Sequence, residues 1–329
     1  MELSAIRVHR TGGPEVMIWE KVHVPSPGPG EVRVRHTAVG LNFLDTYFRS
    51  GLYPTPLPFV PGAEAAGVVD ELGEGVTTFR KGERVVYAGS TGSYAQARVI
   101  AAENLVRMPD DVDDRTAAAV LLQGLTARFL IKDVYPVKSG EFILVHAAAG
   151  GVGTLLCQWA SALGAQVIGT VSSDEKAKIA ASNGCLYPIV HGREDFVARV
   201  AEITGGKKLK VVYDSTGRDT FSRSLDCLMP MGLMVVFGQS SGPIDPLEIN
   251  LLGRKGSLVL TRPMLPDFMR GAGRLQQTAD ELFEALRRGI LRVVVNKTYD
   301  LREAATAHRD LEERRTTGSI VFDVPATDV

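Results

Sequence analysis

Phe142-Ile143-Leu144-Val145-His146-Ala147-Ala148-Ala149-Gly150-Gly151-Val152-Gly153 is the stretch whose reading decides the fold. Four apolar residues spell a buried strand, small residues make a tight turn, and Thr154–Leu163, closed by Gly164, is patterned as a helix. A strand, a glycine turn and a helix start in that order let backbone N–H groups and the helix N-terminus meet a pyrophosphate, while small side chains permit its close approach. The first glycine of the usual fingerprint is replaced by Ala148, so the motif reads Ala-x-Gly-x-x-Gly. Its strand and helix context is what separates it from an ordinary turn.

The type of dinucleotide is written at the end of the next strand, where a carboxylate about 20 residues past the glycines would hold an unphosphorylated ribose. Ser172 and Ser173 stand there instead, with Lys176 one helical turn on. Hydroxyls and a cation suit a 2′-phosphate, which favours NADP(H). Asp174 and Glu175 read as first-turn acids complementing the helix dipole.

Outward from the loop, short buried runs at Phe142–Val145, Gln166–Thr170, Val211–Tyr213, Leu233–Phe237 and Ser257–Leu260 alternate with apolar helices. That alternation predicts a doubly wound parallel sheet. Before Thr116 the texture differs: Val32–Val34, Ala65–Leu72, Arg84–Val86 and Tyr94–Val99 are short β-rich runs between Gly/Pro turns, which predict a small β-rich domain. A helix carrying Leu275, Ala279, Leu282, Phe283 and Leu286 and stopped by Gly289, a helix over 301–314 and a strand over Ser319–Val324 close the chain. The fold class is therefore α/β.

Composition narrows the function classes. Among 329 residues, 37 Lys+Arg against 38 Asp+Glu leave a net charge of −1. The basic clusters Lys207-Lys208-x-Lys210 and Arg314-Arg315 lack interleaved aromatics, which argues against nucleic acid as a partner. Cys157, Cys185 and Cys227 stand far apart, so neither a disulfide framework nor a thiolate zinc cluster is expected. The start, MELSAIRVHR, is charged where a signal peptide needs an apolar stretch, and no run approaches a bilayer span; the reading is cytoplasmic, with no membrane partner.

Gly140-Glu141-x-x-Leu144-x-x-x-Ala148-Ala149-Gly150-Gly151-Val152-Gly153-x-x-x-x-Gln158-x-x-Ser161 is similar to the signature of the quinone oxidoreductase, or ζ-crystallin-like, branch of the medium-chain dehydrogenase/reductases. Gly12–Val16, Gly40–Tyr47, Pro61–Gly67, Gly124–Thr126 and Phe237–Gly242 resemble that branch too, so the likeness spans almost the whole chain. It implies a GroES-like catalytic domain of residues 1–123 and 263–329, a Rossmann domain of residues 124–262, and a homodimer joined through the Rossmann sheets.

Zinc-dependent relatives of that architecture bind their metal through Cys, His and Cys. Here Asn42 stands in place of the first cysteine, Ala63 replaces the histidine in Gly62-Ala63-Glu64, and the third region reads Leu122-Gln123-Gly124. Tyr87–Tyr94, in place of a four-cysteine lobe, carries no thiol. A zinc site needs about four ligands, usually three of them protein groups even when catalytic, so no metal is expected. Without a Lewis acid an alcohol is hard to activate, and the acceptor must already be electron-poor: a quinone, or in the alternative a 2-alkenal or other enone. A further alternative is a cofactor-sensing or RNA-binding ζ-crystallin-like protein.

The resemblance implies a catalytic set of Asn42, Asp45, Tyr47 and Tyr53, with Asn42 and Asp45 also near the nicotinamide. It implies cofactor contacts at Thr126, at Ala149, Gly150, Gly151, Val152 and Gly153, at Ser215, and at Phe237, Gly238 and Ser240. Ser172, Ser173, Lys176 and Arg314 would take the 2′-phosphate of NADPH, and His191 falls where the family often places a tyrosine. Read from the residues alone, Asn42 would instead cap a short helix ended by Gly51, and Tyr47 would be core packing. His146 reads as a packed, loop-orienting residue.

Overall fold

The computed structural model describes residues 1–326. It divides into two compact units: Met1–Leu125 with Met269–Glu284 and the chain from Val293 onward, and Thr126–Phe268 with Ala285–Arg292. The sequence reading puts the boundaries after 123 and after 262; the observed divisions fall after Leu125 and after Phe268, and Ala285–Arg292 packs with the second unit.

The second unit is a six-stranded parallel sheet in the spatial order Cys185–Val190, Gln166–Val171, Phe142–Val145, Leu209–Asp214, Leu228–Val236, Val259–Thr261. Numbered along the chain, that is 3-2-1-4-5-6. The order reverses between Phe142–Val145 and Leu209–Asp214, and ligands of open α/β sheets settle at the strand carboxyl ends beside that reversal. Ile143, Leu144, Val145, Val211, Val212 and Tyr213 are wholly buried. Consecutive strand residues point to opposite faces, so burial of both faces accounts for uninterrupted apolar runs in place of alternation.

One strand of this parallel sheet escapes the sequence reading, as do Glu2–Val8, Met17–His23, Val106–Arg107 and Val295–Asp300 in the first unit. Cys185–Val190 holds Pro188, and its Leu186 is exposed, so neither alternation nor a clean apolar run marks it. It lies at the sheet edge, where proline is tolerated. The helix after the glycine loop spans Gly151–Ala162, starting three residues before the expected Thr154.

The first unit is built on Glu31–Leu41, which pairs antiparallel with Glu64–Leu72, Ala97–Ala101 and Ser319–Asp323 in a seven-stranded sheet. Val32, Val34, Val39, Tyr87, Tyr94 and Phe322 fill its core. Near the end of the chain, Val295–Asp300 runs parallel to Ser319–Asp323, with the helix Ala304–Glu312 between them in sequence. Ile320 pairs with Leu41, which brings the last described strand beside the residues that lead into Asn42.

Candidate active site

In the second unit the glycine loop turns through Ala147, which takes a left-handed φ of 53°. Gly150 N–H donates to Ala147 O at 2.9 Å, and the helix follows immediately. A Cβ on Gly153 would lie 2.2 Å from Ala147 O, so only glycine lets the first helical turn fold this tightly onto the loop. First-turn N–H groups of a helix have no intrahelical acceptor, and with the dipole they make an anion site. Ala148, standing where the fingerprint has glycine, is fully buried. Its methyl fits because the neighbouring strand carries Gly169, where a Cβ would sit 2.6 Å from both Ala148 Cβ and Cys185 Sγ.

His146 holds the mouth of this loop from within. Fully buried, it bonds Thr170 Oγ1 through Nδ1 and Ser224 Oγ through Nε2, both at 2.8 Å, and burial lowers its pKa. Past the next strand, Asp214 Oδ1 accepts the N–H groups of Thr216 and Gly217 at 2.7 and 3.0 Å. Phe237 N–H donates to Asp214 O at 2.8 Å and Ser240 N–H to Ser215 O at 3.0 Å, so Ser215, Phe237, Gly238 and Ser240 share one stitched ledge.

At the end of Gln166–Val171, Ser172 is exposed and Ser173 caps the helix Asp174–Ser182, its Oγ accepting Lys176 N–H at 3.2 Å. Asp174 is held in a bidentate pair by Arg193 at 2.9 and 3.1 Å, which lowers its pKa. That carboxylate is thus engaged by a cation beside exposed His191.

The first unit holds a different assembly. Asn42 leads into the helix Phe43–Ser50, ended by Gly51 at φ 83°. The Asp45 carboxylate accepts Asn42 N–H at 2.9 Å and the Tyr94 hydroxyl at 3.0 Å. Tyr94 Oη lies 3.0 Å from His308 Nε2, Arg49 Nη1 lies 3.4 Å from His308 Nδ1, and Arg49 donates to Glu312 from Nη1 at 3.0 Å and from Nη2 at 2.5 Å. On its other side Asn42 Nδ2 donates to Glu64 Oε2 at 2.7 Å, and Glu64 Oε1 accepts Leu122 N–H at 2.7 Å. Gln123 Nε2 donates to Asn42 Oδ1 at 3.2 Å, and Ser319 Oγ to Gln123 Oε1 at 2.9 Å.

Burial dominates the electrostatics here. It pushes Glu64 up to about 8, against the hydrogen bonds from Asn42 and Leu122 and with added repulsion from Asp45. Asp45 rises to about 7 by burial, against donors that include Asn42 N–H and Tyr94. Burial, aided by Arg49, takes His308 down to about 3, so it is a neutral imidazole at working pH.

Of the expected catalytic residues, Asn42, Asp45, Tyr47 and Tyr53 lie together in the first unit, as does Arg314; Thr126 and the remaining cofactor candidates lie in the second. Tyr47 is nearly buried, its ring 5.6 Å from Phe43 and 5.2 Å from Tyr53, so the helix cap and the packed tyrosine expected from the residues alone are both present. Asp45 is fully buried and meets Asn42 and Tyr94, which makes it a support for its neighbours. Arg314 is exposed just past the helix Ala304–Glu312, with φ 60°. Sequence reasoning misses the parts played by Tyr94 and His308 and the roles of Glu64 and Gln123, although the last two stand in the quoted Gly62-Ala63-Glu64 and Leu122-Gln123-Gly124. Among the described residues no three of His, Cys, Asp or Glu gather as a possible metal cluster.

A strand-rich unit joined to a parallel-sheet unit with a dinucleotide loop defines a medium-chain dehydrogenase/reductase. Residues 28–110 match the alcohol dehydrogenase GroES-like domain and residues 151–285 the zinc-binding dehydrogenase family. A quinone oxidoreductase of Pseudomonas aeruginosa is 51% identical over 94% of this chain and 96% of its own. A 2-haloacrylate reductase of a Burkholderia species is 47% identical over 98% and 99%. The crystal structure of an Escherichia coli quinone oxidoreductase complexed with NADPH superposes with a TM-score of 0.96 at 45% identity, covering 97% of this chain and 99% of that one. The chain belongs to the quinone oxidoreductase branch of the zinc-free medium-chain dehydrogenases/reductases.

Proposed function

We propose that this protein reduces quinones with NADPH and uses no metal. The observation that carries the reading is the substitution of a hydrogen-bonded side-chain network for a ligand set: the three regions where zinc-dependent relatives hold their metal supply Asn42, Glu64 and Gln123, the last two each bonded to Asn42. When bound, NADPH supplies a hydride from C4 of its nicotinamide. The glycine loop has the small-residue turn and helix start that a pyrophosphate needs, and only glycine fits at 153, where a Cβ would lie 2.2 Å from Ala147 O.

Each residue then has a physical task. The N–H groups at Gly151, Val152 and Gly153 bind the pyrophosphate, with Ala149 and Gly150 allowing its approach. Ser172, Ser173, Lys176 and His191 hold the 2′-phosphate, and the Asp174–Arg193 pair keeps the nearby carboxylate from repelling it. Thr126, Ser215, Phe237, Gly238 and Ser240 flank the nicotinamide. Asn42 donates to the acceptor oxygen as it gains charge, Tyr47 and Tyr53 wall the slot, and Asp45 supports Asn42 from behind. The reduced oxygen takes its proton from water or a nearby hydroxyl.

The 2-haloacrylate reductase at 47% identity favours a second acceptor class, electron-poor alkenes, by the same hydride chemistry. We also assign a homodimer through the Rossmann sheet. Its last strand, Val259–Thr261, pairs with Leu228–Val236 on one side and leaves Val259 and Leu260 exposed. Three buried, unbridged cysteines suit a cytoplasmic setting.

The deciding experiment measures NADPH oxidation by chelator-treated protein with 1,4-benzoquinone and 2-chloroacrylate side by side. Quinone turnover that survives chelation is expected; folded, NADPH-binding protein that turns over neither acceptor overturns the reading.

A further inference from the structure

We propose that Glu64 is a positioning residue that fixes the direction in which the Asn42 amide presents its donor to the acceptor oxygen. The inference rests on the assignment of Asn42 made above and adds a residue to it.

A carboxyl group carried into a protein interior is costly unless its environment is built for it. Glu64 is fully buried and forms no ion pair among the described residues, so no cation explains its presence. Space is reserved for it: a Cβ on Gly40 would lie 2.7 Å from Glu64 Oε2 and 2.1 Å from Ala118 O. Its two oxygens are spent on Leu122 N–H, which ties it to the helix Asp114–Phe129, and on Asn42 Nδ2.

An asparagine amide is nearly symmetric in shape, and only its partners tell oxygen from nitrogen. Glu64 accepts from Nδ2 on one side, while on the other Gln123 Nε2 donates to Oδ1, with Gln123 itself held by Ser319. Two distant stretches of chain thus meet the Asn42 side chain directly, and a third holds one of them in place. Capping the helix Phe43–Ser50 pairs Asn42 N–H with the Asp45 carboxylate and turns the Asn42 side chain towards the Asp45 backbone, and it calls on neither Glu64 nor Gln123. Nδ2 carries two hydrogens and Glu64 takes one, which leaves a second for a reactant to accept; Asn42 as a whole is 6% exposed.

A double-mutant cycle on quinone kcat/KM tests this, using Glu64→Gln, Asn42→Ala and their combination, with NADPH affinity measured separately. Glutamine offers an N–H where Glu64 presents acceptors, so the Asn42 amide is free to turn over. In the wild-type background Glu64→Gln should cost about tenfold in kcat, the kinetic worth of one hydrogen bond, and leave NADPH affinity within about twofold. In the Asn42→Ala background the same change should cost less than about twofold. An equal loss in both backgrounds overturns the inference and leaves the Asn42 assignment standing. Full activity of Asn42→Ala removes the assignment and the inference together. Should Glu64→Gln fail to fold, Gln123→Met, which deletes the donor on the other side of the amide, enters the same cycle with the same expected outcomes.

Discussion

Glu64 can also be tested through stability alone. Its carboxyl rises from the ordinary 4.5 to about 8 because burial disfavours the charge. Between those values the unfolded chain has released a proton that the folded chain keeps. The stabilising contribution is therefore complete below about pH 4.5 and is lost as pH climbs towards 8. Each unit in that window is worth about 1.4 kcal/mol, so between pH 5 and pH 8 the wild type should lose about 3 to 4 kcal/mol that a neutral glutamine does not lose. Asp45 shifts in the same direction, but it is present in both proteins and its part largely cancels. The assay is urea unfolding of wild type and Glu64→Gln at pH 5, 6, 7 and 8, followed by tryptophan fluorescence and circular dichroism together. The expected result is a difference in unfolding free energy that moves steadily in favour of the variant as pH rises. Parallel curves across the window would refute the reasoning, because Glu64 would then be as well solvated by its two donors as it is by water.

Three further outcomes follow from the geometry. Gly153→Ala drives a methyl against Ala147 O, and NADPH affinity in a fluorescence titration should fall at least about tenfold, with a loss of about 1–3 kcal/mol in urea stability. Lys176→Glu replaces a phosphate-binding cation with a repelling charge; the ratio of NADPH to NADH affinity should drop by about tenfold or more, while NADH affinity changes little. Arg49→Met removes the buried guanidinium that grips Glu312 and faces His308, and should cost about 2–4 kcal/mol in urea unfolding, less than a wholly buried pair because Glu312 is partly exposed.

The second unit was largely legible because its information is local. Residues 142–153 sit side by side in sequence and in space, and the parallel strands announce themselves as apolar runs. Cys185–Val190 was lost because an edge position admits Pro188 and leaves Leu186 in solvent, which erases the pattern. Asn42 and Tyr47 were located through family likeness, and the residue-level reading of cap and packing describes them just as well. The network around them was invisible for a different reason. Asn42 meets Glu64 across 22 residues and Gln123 across 81, while Gln123 meets Ser319 across 196 and Tyr94 meets His308 across 214. No periodicity reaches that far. A histidine in a helix near the chain's end carries no sign that its ring will face a tyrosine from the first hundred residues.

The Ala148–Gly169 pairing restricts the order in which this sequence can drift. The space that the fingerprint normally finds by omitting a side chain in the loop is found here by omitting one from the strand next door. Glycine at 148 would leave a gap the size of one methyl, an intermediate a population can carry. Any side chain at 169 meets both Ala148 Cβ and Cys185 Sγ, so residue 169 becomes free to change only after both neighbours have yielded. The history of the phosphate loop is thus partly recorded one strand away from it, and descendants of this chain that restore the loop glycine should still carry glycine at 169 for as long as the thiol stays.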